Sequence, residues 1–82
     1  MKVSVIGTGY VGLVTGATLA DLGNQVVCLD ILEEKIDLLN SGKSPIFEPG
    51  LEELIQKGIR TKNLIGSIEI EQHVRNSDIT FI

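Results

Sequence analysis

Apolar residues in this chain come in short runs separated by stretches of helical spacing. Residues 3–6 (VSVI) form one run, which stops at Gly7, and residues 25–30 (QVVCLD) form a second. Short runs that are apolar throughout are typical of strands buried on both faces in a parallel sheet. Residues 64–70 and 78–82 predict a third and a fourth strand.

Between these runs, apolar residues recur at the spacing of helices that pack on a sheet. The predicted helices cover residues 10–22, residues 33–40, a segment that Pro49 opens and Gly58 ends, and residues 71–76. Gly23 and Gly42 are placed to end the first two helices, because glycine accepts the left-handed conformation that follows many helices. In the first helix the predicted buried stripe consists of Val11, Val14, Ala17 and Leu22, and the small residues Gly16, Ala17 and Ala20 permit a close approach to the sheet.

The order of the predicted elements, β-α-β-α-α-β-α-β, determines the fold class. Alternation of this kind predicts a parallel sheet joined by right-handed crossovers, with helices on both faces. We therefore predict an α/β protein with a Rossmann-type doubly wound parallel sheet of about four strands, in the spatial order third, second, first, fourth. A chain of 82 residues accommodates one compact unit at most.

The segment GTGYVG links the first predicted strand to the first predicted helix. Gly7 permits a tight turn out of the strand, Gly9 leaves room for a pyrophosphate, and Gly12 lets the helix pack closely on the strand. A helix that begins near Tyr10 presents unpaired N–H groups, including that of Val11, to phosphate oxygens. We predict that this loop binds the pyrophosphate of a dinucleotide. A turn that is merely rich in glycine is the alternative.

Asp30 ends the second predicted strand, 18 positions beyond the last glycine of the loop. An acidic residue at this place is typical of the dinucleotide fingerprint, in which it accepts hydrogen bonds from the adenosine ribose. Its charge would repel a 2′-phosphate, and the next residues, Ile31 and Leu32, provide no arginine to neutralise one. The predicted cofactor is therefore NAD and not NADP. The alternative for Asp30 is a cap for the helix that starts near Glu33.

Composition limits the partners and the compartment. The net charge is −4 and the basic residues are scattered, so we expect no nucleic acid partner. The opening apolar run is too short for a signal peptide and no run approaches a membrane span, so we expect a soluble protein without a membrane partner. The single cysteine, Cys28, cannot form an internal disulfide and favours a cytoplasmic location. We predict no metal site.

Four segments, in this order, resemble the UDP-glucose/GDP-mannose dehydrogenase family. They are GTGYVG, the strand that ends at Asp30, EEKIDLLNSGKSPIFEPGLEEL and SDITFI. The resemblance covers essentially the whole chain and is strongest to the members that oxidise UDP-glucose. It implies that the glycine loop binds the pyrophosphate of NAD and that Asp30 and Lys35 contact the adenosine ribose. An ordinary solvated lysine is the alternative for Lys35.

The stretch PIFEPGL resembles the family signature PI-x-EPGL and is more specific than the glycine motif. Pro45 and Pro49 restrict the backbone there. Glu48 is placed to cap the third helix, and Phe47 is placed to shield apolar surface. For Glu48 we favour this structural role over contact with a cofactor or substrate. Family members often carry an acidic residue where this chain has Leu32, which puts a second acidic ribose contact in doubt.

The resemblance also implies an activity for the complete enzyme. It would oxidise the C6 hydroxyl of UDP-glucose to a carboxylate in two NAD-dependent steps, through a thiohemiacetal on a cysteine of a later domain. Residues 1–82 would be the N-terminal part of the NAD-binding domain, without the substrate and catalytic domains and inactive alone. We expect a homo-oligomer at full length. Cys28 is then a buried structural thiol and His73 a solvated surface residue, and neither is catalytic.

Other functions stay open from the sequence. A GDP-mannose or UDP-N-acetyl-hexosamine dehydrogenase belongs to the same family. A different NAD-dependent dehydrogenase, such as a 3-hydroxyacyl-CoA type, would share GxGxxG and Asp30 but would not need LLNSGKSPIFEPGL. A non-catalytic NAD-binding module would share every feature of these residues and would differ only in lacking a downstream cysteine domain.

Overall fold

The computed structural model describes residues 1–44 and 46–82. Its elements are β1 (Lys2–Ile6), α1 (Tyr10–Asp21), β2 (Gln25–Leu29), α2 (Glu33–Asn40), α3 (Leu51–Thr61), β3 (Leu64–Ser67), α4 (Ile70–Arg75) and β4 (Ile79–Phe81). Each predicted helix and strand is present and their order is the predicted one. Several of them begin or end at a different residue.

The strands form one parallel sheet in the order β3-β2-β1-β4. Val5 of β1 pairs with Cys28 of β2 on one side and with Phe81 of β4 on the other. Cys28 in turn pairs with Gly66 of β3. The predicted α/β class, the parallel sheet and the strand order are confirmed. Because β2 and β3 lie on one side of β1 and β4 lies on the other, the direction of winding reverses between β1 and β4.

The helix α1 packs on the sheet through small residues. Its buried side is formed by Leu13, Gly16, Ala17 and Ala20. A Cβ on Gly16 would lie only 2.8 Å from the Sγ atom of Cys28, so the backbone of α1 approaches β2 more closely than a larger residue would allow. The main core lies beside this contact and contains Val3, Val5, Leu13, Ala17, Ala20, Val26, Cys28, Leu39, Leu51, Ile55 and Leu64.

On the opposite face of the sheet, α4 packs against β1. Ser4 lies between Val3 and Val5 on β1, and because side chains alternate along a strand, it points away from the main core. Its hydroxyl donates a hydrogen bond to the His73 carbonyl oxygen at 3.2 Å and also bonds the Ser77 hydroxyl. The fully buried Ser4 therefore fixes the end of α4 against β1. Helices lie on both faces, as predicted.

The predicted buried stripe of α1 is partly wrong. Ala17 is buried and Val14 packs against the core, but Val11 and Leu22 are each 73% exposed. Gly16, Ala17 and Ala20 are all buried, which confirms the predicted close approach of α1 to the sheet through small residues. The larger side chains of Val11 and Leu22 lie outside this contact.

Glycines end the first two helices, as predicted. Gly23 has φ +100° and donates its N–H to the Ala20 carbonyl at 3.0 Å. Gly42 has φ +81° and donates to the Leu39 carbonyl at the same distance. The Asn24 N–H then donates to the Leu19 carbonyl, and the Lys43 N–H donates to the Leu38 carbonyl. This pair of hydrogen bonds at each helix end is the Schellman motif.

Both predicted ends of the third helix are wrong. Gly50, with φ +84°, precedes the first residue of α3, so Pro49 lies outside the helix. Gly58 lies inside α3 and is buried, and a Cβ there would lie 2.7 Å from the Cβ of Leu64. Its role is therefore close packing on β3. The helix continues to Thr61 and ends at Lys62, whose φ is +64°.

The later strands are shorter than predicted. The strand β3 ends at Ser67, where the side-chain hydroxyl accepts a hydrogen bond from the Glu69 N–H at 3.0 Å and turns the chain toward α4. The helix α4 then begins at Ile70. Within residues 1–44 and 46–82, no helix has both the length and the apolar character needed to cross a membrane.

Candidate cofactor site

The glycine loop lies where β1 ends and α1 begins. Gly7 has φ +96°, a conformation that favours glycine. Its N–H donates to the Leu29 carbonyl oxygen at 2.7 Å, which joins the loop to the end of β2. The backbone conformation therefore requires glycine at the turn predicted for Gly7.

The two other glycines of the loop serve different purposes. A Cβ on Gly12 would lie 3.3 Å from the Gly7 carbonyl carbon and closer still to its oxygen, so no side chain fits unless the loop moves. A Cβ on Gly9 would meet nothing within 4 Å, and its φ of −73° is accessible to any residue. Folding thus requires Gly12 but not Gly9, and the space around Gly9 is open to a ligand.

The first turn of α1 presents N–H groups to this open space. The first intrahelical bond runs from the Leu13 N–H to the Gly9 carbonyl oxygen at 2.9 Å. The N–H groups of Tyr10, Val11 and Gly12 therefore have no partner inside the helix. Among the described residues no side chain caps this end, and its first turn contains no acidic residue. Together with the helix dipole, these N–H groups suit an anion such as a phosphate.

Asp30 follows β2 directly and faces the same loop. Its Oδ2 atom accepts hydrogen bonds from the Thr8 N–H at 3.0 Å and from the Thr8 hydroxyl at 2.6 Å. Its Oδ1 atom accepts one from the Leu32 N–H at 2.9 Å, just before α2 begins. Asp30 therefore connects the glycine loop to the start of α2. The alternative that Asp30 caps α2 is wrong, because the N-cap residue is Leu32 and, among the described residues, no side chain caps this helix.

The surroundings of Asp30 keep it charged. Burial raises the pKa of this carboxyl, but the hydrogen bonds from Thr8 and Leu32 and the charge of Lys35 outweigh burial and hold the pKa below its usual value. Lys35 lies in the first turn of α2 and is half-buried. The charge of Lys35 thus acts on Asp30, the other predicted ribose residue.

A crevice of about 380 Å³ opens between the carboxyl ends of β1 and β4. Gly9, Val11 and Thr15 line one side of it, and Phe81 lines the other. In open α/β sheets, ligands bind at the point where the winding reverses, which here lies between β1 and β4. A second cavity, of about 370 Å³, lies at the amino-terminal ends of the strands beside Lys2, away from the loop.

The model for the NAD-binding domain of the UDP-glucose/GDP-mannose dehydrogenase family matches residues 1–82. The chain belongs to this family. The resemblance predicted from its motifs is therefore confirmed, and so are the predicted cofactor, NAD, and the dinucleotide-binding fold.

Two kinds of dehydrogenase are similar to this chain in sequence. A GDP-mannose 6-dehydrogenase of Pseudomonas syringae pv. syringae is 50% identical over 82 residues, which cover 100% of this chain and 19% of that protein. A UDP-glucose 6-dehydrogenase of Bacillus subtilis (strain 168) is also 50% identical over 82 residues, with the same coverage. The chain thus spans about a fifth of the length of these relatives. Both relatives are members of the family, and because they are equally identical to the chain, sequence identity does not indicate which sugar nucleotide is the substrate.

Solved structures of the family share the fold closely. A GDP-mannose dehydrogenase from Pseudomonas aeruginosa, crystallised as a ternary complex, has a TM-score of 0.97 at 46% identity and covers 100% of this chain and 19% of its own. A UDP-glucose dehydrogenase from Pyrobaculum islandicum has a TM-score of 0.93 at 37% identity, with 99% and 19% covered. The Rossmann-type architecture is therefore that of the family.

The family signature segment lies next to the glycine loop. Pro45 falls outside the described residues. Glu48 accepts a long hydrogen bond, 3.4 Å, from the Tyr10 hydroxyl, and among the described residues no side chain caps α3. Its carboxylate therefore does not cap the helix as predicted; instead the Glu48 carbonyl accepts the Leu51 N–H at 3.1 Å. Phe47 is 98% exposed, so the prediction that it shields apolar surface is wrong.

Cys28 and His73 lie outside the crevice. Cys28 is fully buried, and burial raises the pKa of its thiol to about 12, which confirms the predicted structural thiol. His73 is half-buried on α4, beside the cavity at the amino-terminal ends of the strands, so its predicted exposure is only partly correct. In residues 1–44 and 46–82, no group of three or more His, Cys, Asp or Glu side chains is arranged to hold a metal ion.

Sequence reasoning missed one residue of this site, Thr8. It occupies a variable position of the glycine motif, is 2% exposed and bonds Asp30 twice. A signal for it was available, because Thr8 and Asp30 each follow the end of a strand, and these two strands are neighbours in the predicted order. The ligand contacts assigned to Gly7, Gly9, Tyr10, Val11, Gly12, Asp30 and Lys35 stay predictions, as does the domain boundary.

Proposed function

We propose that residues 1–82 bind NAD through its adenosine diphosphate half. The observation that carries this proposal is the meeting of two groups at one loop: the N–H groups of the first turn of α1 and the Asp30 carboxylate. The pyrophosphate would lie over Gly9 and accept hydrogen bonds from the N–H groups of Val11 and Gly12. The adenosine ribose would donate a hydroxyl hydrogen bond to Asp30, with Lys35 beside it.

The charge of Asp30 supports a preference for NAD over NADP. Hydrogen bonds from Thr8 and Leu32 hold the carboxylate charged and in place. A 2′-phosphate on the ribose would bring a second negative charge against it. The residue before α2 is the exposed Leu32, which offers no positive charge in compensation.

Calorimetric titration of the protein with NAD and with NADP tests these contacts. We expect NADP to bind at least about tenfold more weakly than NAD, and Asp30→Ala to weaken NAD by a similar factor, about 1.4 kcal/mol. The matched control is Glu33→Ala, an exposed carboxylate in the first turn of α2, which should change NAD affinity by less than about twofold. Equal affinity for NAD and NADP, or full NAD affinity in Asp30→Ala, contradicts the ribose assignment.

For the whole protein we propose the oxidation of a nucleotide-activated hexose at C6. Membership of the family supports this reaction class. The C6 hydroxyl would become a carboxylate in two oxidation steps that reduce two NAD, through a thiohemiacetal on a cysteine outside residues 1–82. UDP-glucose is the first substrate to test, and GDP-mannose is the second, because relatives of both kinds are 50% identical to this chain. We place the protein in the cytoplasm as a homo-oligomer.

The full-length protein should be assayed for NADH formation with UDP-glucose, GDP-mannose and UDP-N-acetylmannosamine in parallel. The third sugar nucleotide is included because a UDP-D-ManNAc dehydrogenase structure from Pyrococcus horikoshii has a TM-score of 0.91 at 31% identity. Turnover of UDP-glucose with two NADH for each sugar supports the leading proposal. If only one of the other two sugar nucleotides is turned over, that compound replaces UDP-glucose as the proposed substrate. NAD binding without turnover of any of them favours a non-catalytic NAD-binding module.

A further inference from the structure

Thr8 connects two parts of the candidate site that contact different parts of a dinucleotide. It lies in the glycine loop, which is assigned to the pyrophosphate, and bonds Asp30, which is assigned to the ribose. Its N–H and its hydroxyl donate to the same atom, Oδ2, at 3.0 and 2.6 Å. Hydrogen bonds to a charged carboxylate are shorter and stronger than neutral ones, and the hydroxyl bond here is short.

The protein uses the two oxygens of Asp30 unequally. Oδ2 receives two hydrogen bonds from Thr8, while Oδ1 receives one from the Leu32 N–H at 2.9 Å. Each carboxylate oxygen offers about two lone-pair sites. Oδ2 is therefore fully used and Oδ1 retains one acceptor site. Rotation of the carboxylate would break the bonds on both sides, so its orientation is fixed.

We propose that the Thr8 hydroxyl is a positioning group for ribose recognition: by occupying Oδ2, it holds Asp30 so that Oδ1 accepts the hydrogen bond of the adenosine 2′-hydroxyl. This inference rests on the proposed binding of NAD. Thr8 itself touches no ligand atom through its side chain, because it is 2% exposed. Without the hydroxyl, only the Thr8 N–H would bond Oδ2, and the carboxylate would gain freedom to turn away from the ribose.

The consequence is confined to the ribose. The N–H groups that face the pyrophosphate belong to the first turn of α1 and do not depend on the Thr8 side chain. The informative quantity is therefore the ratio of the affinities for ADP and 2′-deoxy-ADP, which differ only in the 2′-hydroxyl. A general disturbance of the loop would weaken both nucleotides by the same factor and leave this ratio unchanged.

The test measures both dissociation constants by competition against NAD in calorimetry. Thr8→Val removes the hydroxyl at nearly constant volume, and Thr8→Ser is the matched control that keeps it. We expect the wild type to prefer ADP about tenfold, in line with one hydrogen bond to a charged group, and Thr8→Val to prefer it about twofold or less. Thr8→Ser should retain the wild-type ratio. If circular dichroism shows that Thr8→Val is unfolded, Thr8→Ala replaces it.

Each other outcome has a distinct meaning. An unchanged ratio in Thr8→Val overturns the positioning role, even if both affinities fall. A loss of the ratio in Thr8→Ser as well would show that the hydroxyl is not the group responsible, and it also overturns the role. A wild type that binds NAD but does not prefer ADP over 2′-deoxy-ADP overturns it too. A wild type that binds neither NAD nor ADP instead contradicts the proposed function itself.

Discussion

Replacing Gly9 and Gly12 with alanine, one at a time, separates the folding of the glycine loop from the binding of NAD. Both residues belong to one motif, but the sequence predicts ligand space at Gly9 and close helix packing at Gly12. The structure supports this difference, because an added Cβ would strike the Gly7 carbonyl at Gly12 and would enter open space at Gly9. We expect Gly12→Ala to destabilise the protein and Gly9→Ala to weaken NAD binding without loss of stability.

The cost of Gly12→Ala follows from a forced movement of backbone. The obstacle is a carbonyl group and not a flexible side chain, so the start of α1 must move away from Gly7. Because the overlap is with backbone, the overpacking cost should lie in the upper part of its range, about 2 to 3 kcal/mol, and the better helix propensity of alanine returns about 1 kcal/mol. A net loss of about 1 to 2 kcal/mol is large for 82 residues, whose free energy of unfolding should be about 4 to 12 kcal/mol.

At Gly9 the opposing effects on stability nearly cancel. Alanine restricts the unfolded chain, which stabilises the protein by about 0.4 to 1 kcal/mol. Alanine is also a poorer residue than glycine at the position before α1, which destabilises the helix by a similar amount. The methyl group would occupy the space assigned to the pyrophosphate. We therefore expect an unchanged free energy of unfolding and NAD binding at least about tenfold weaker.

Urea unfolding followed by circular dichroism measures the stability, and calorimetry measures the NAD affinity of each variant. Wild-type affinity in Gly9→Ala would show that the pyrophosphate does not pass over Gly9, and the assigned binding mode would be wrong. Wild-type stability in Gly12→Ala would show that α1 does not approach Gly7 as closely as the structure indicates. Equal losses of stability in both variants would refute the distinction between them.

Two further predictions concern Asp30 and Cys28. Asp30→Asn should lower the free energy of unfolding by about 1 to 2 kcal/mol at neutral pH, because an amide has one acceptor oxygen for the N–H donors of Thr8 and Leu32 on its two sides. Because folding lowers the pKa of Asp30, the higher stability of the wild type over Asp30→Asn should disappear as the pH falls through the pKa of the folded state. Urea unfolding at several pH values measures this difference. Equal stability of the two proteins at neutral pH would contradict the prediction. Cys28 should resist alkylation in the folded protein, and rapid labelling at neutral pH would contradict its burial. Because folding raises the pKa of this thiol from about 9 to about 12, stability should fall as the pH rises above about 9, and Cys28→Ala should remove this dependence.

The arrangement of the strands could be predicted because their residues carry a local signal. The short apolar runs before Gly7 and before Asp30 indicate strands, and the alternation with helices determines their parallel order. The loop and Asp30 meet because the carboxyl ends of neighbouring parallel strands lie at the same edge of the sheet. This part of the site therefore follows from topology.

What the sequence did not predict depends on distances between elements. Gly58 resembles a helix end in the sequence, but its role is set by Leu64, which approaches it from β3. Val11 has the spacing of a core residue, yet it lies at the crevice, because α1 contacts the sheet farther along through Gly16 and Ala20. Thr8 was missed because its partner is 22 positions away and the motif leaves its identity open.

Because the hydrogen bonds between Thr8 and Asp30 are part of the candidate site, the site exists only in the folded chain. The two residues meet only when β1 and β2 are paired, so the unfolded chain contains neither the oriented carboxylate nor the ordered loop. A ligand of this site therefore binds the native state alone and stabilises it by mass action, by about 2.7 kcal/mol at a hundredfold excess over its dissociation constant. Occupancy by the cofactor would therefore lower the fraction of the chain that is unfolded at equilibrium.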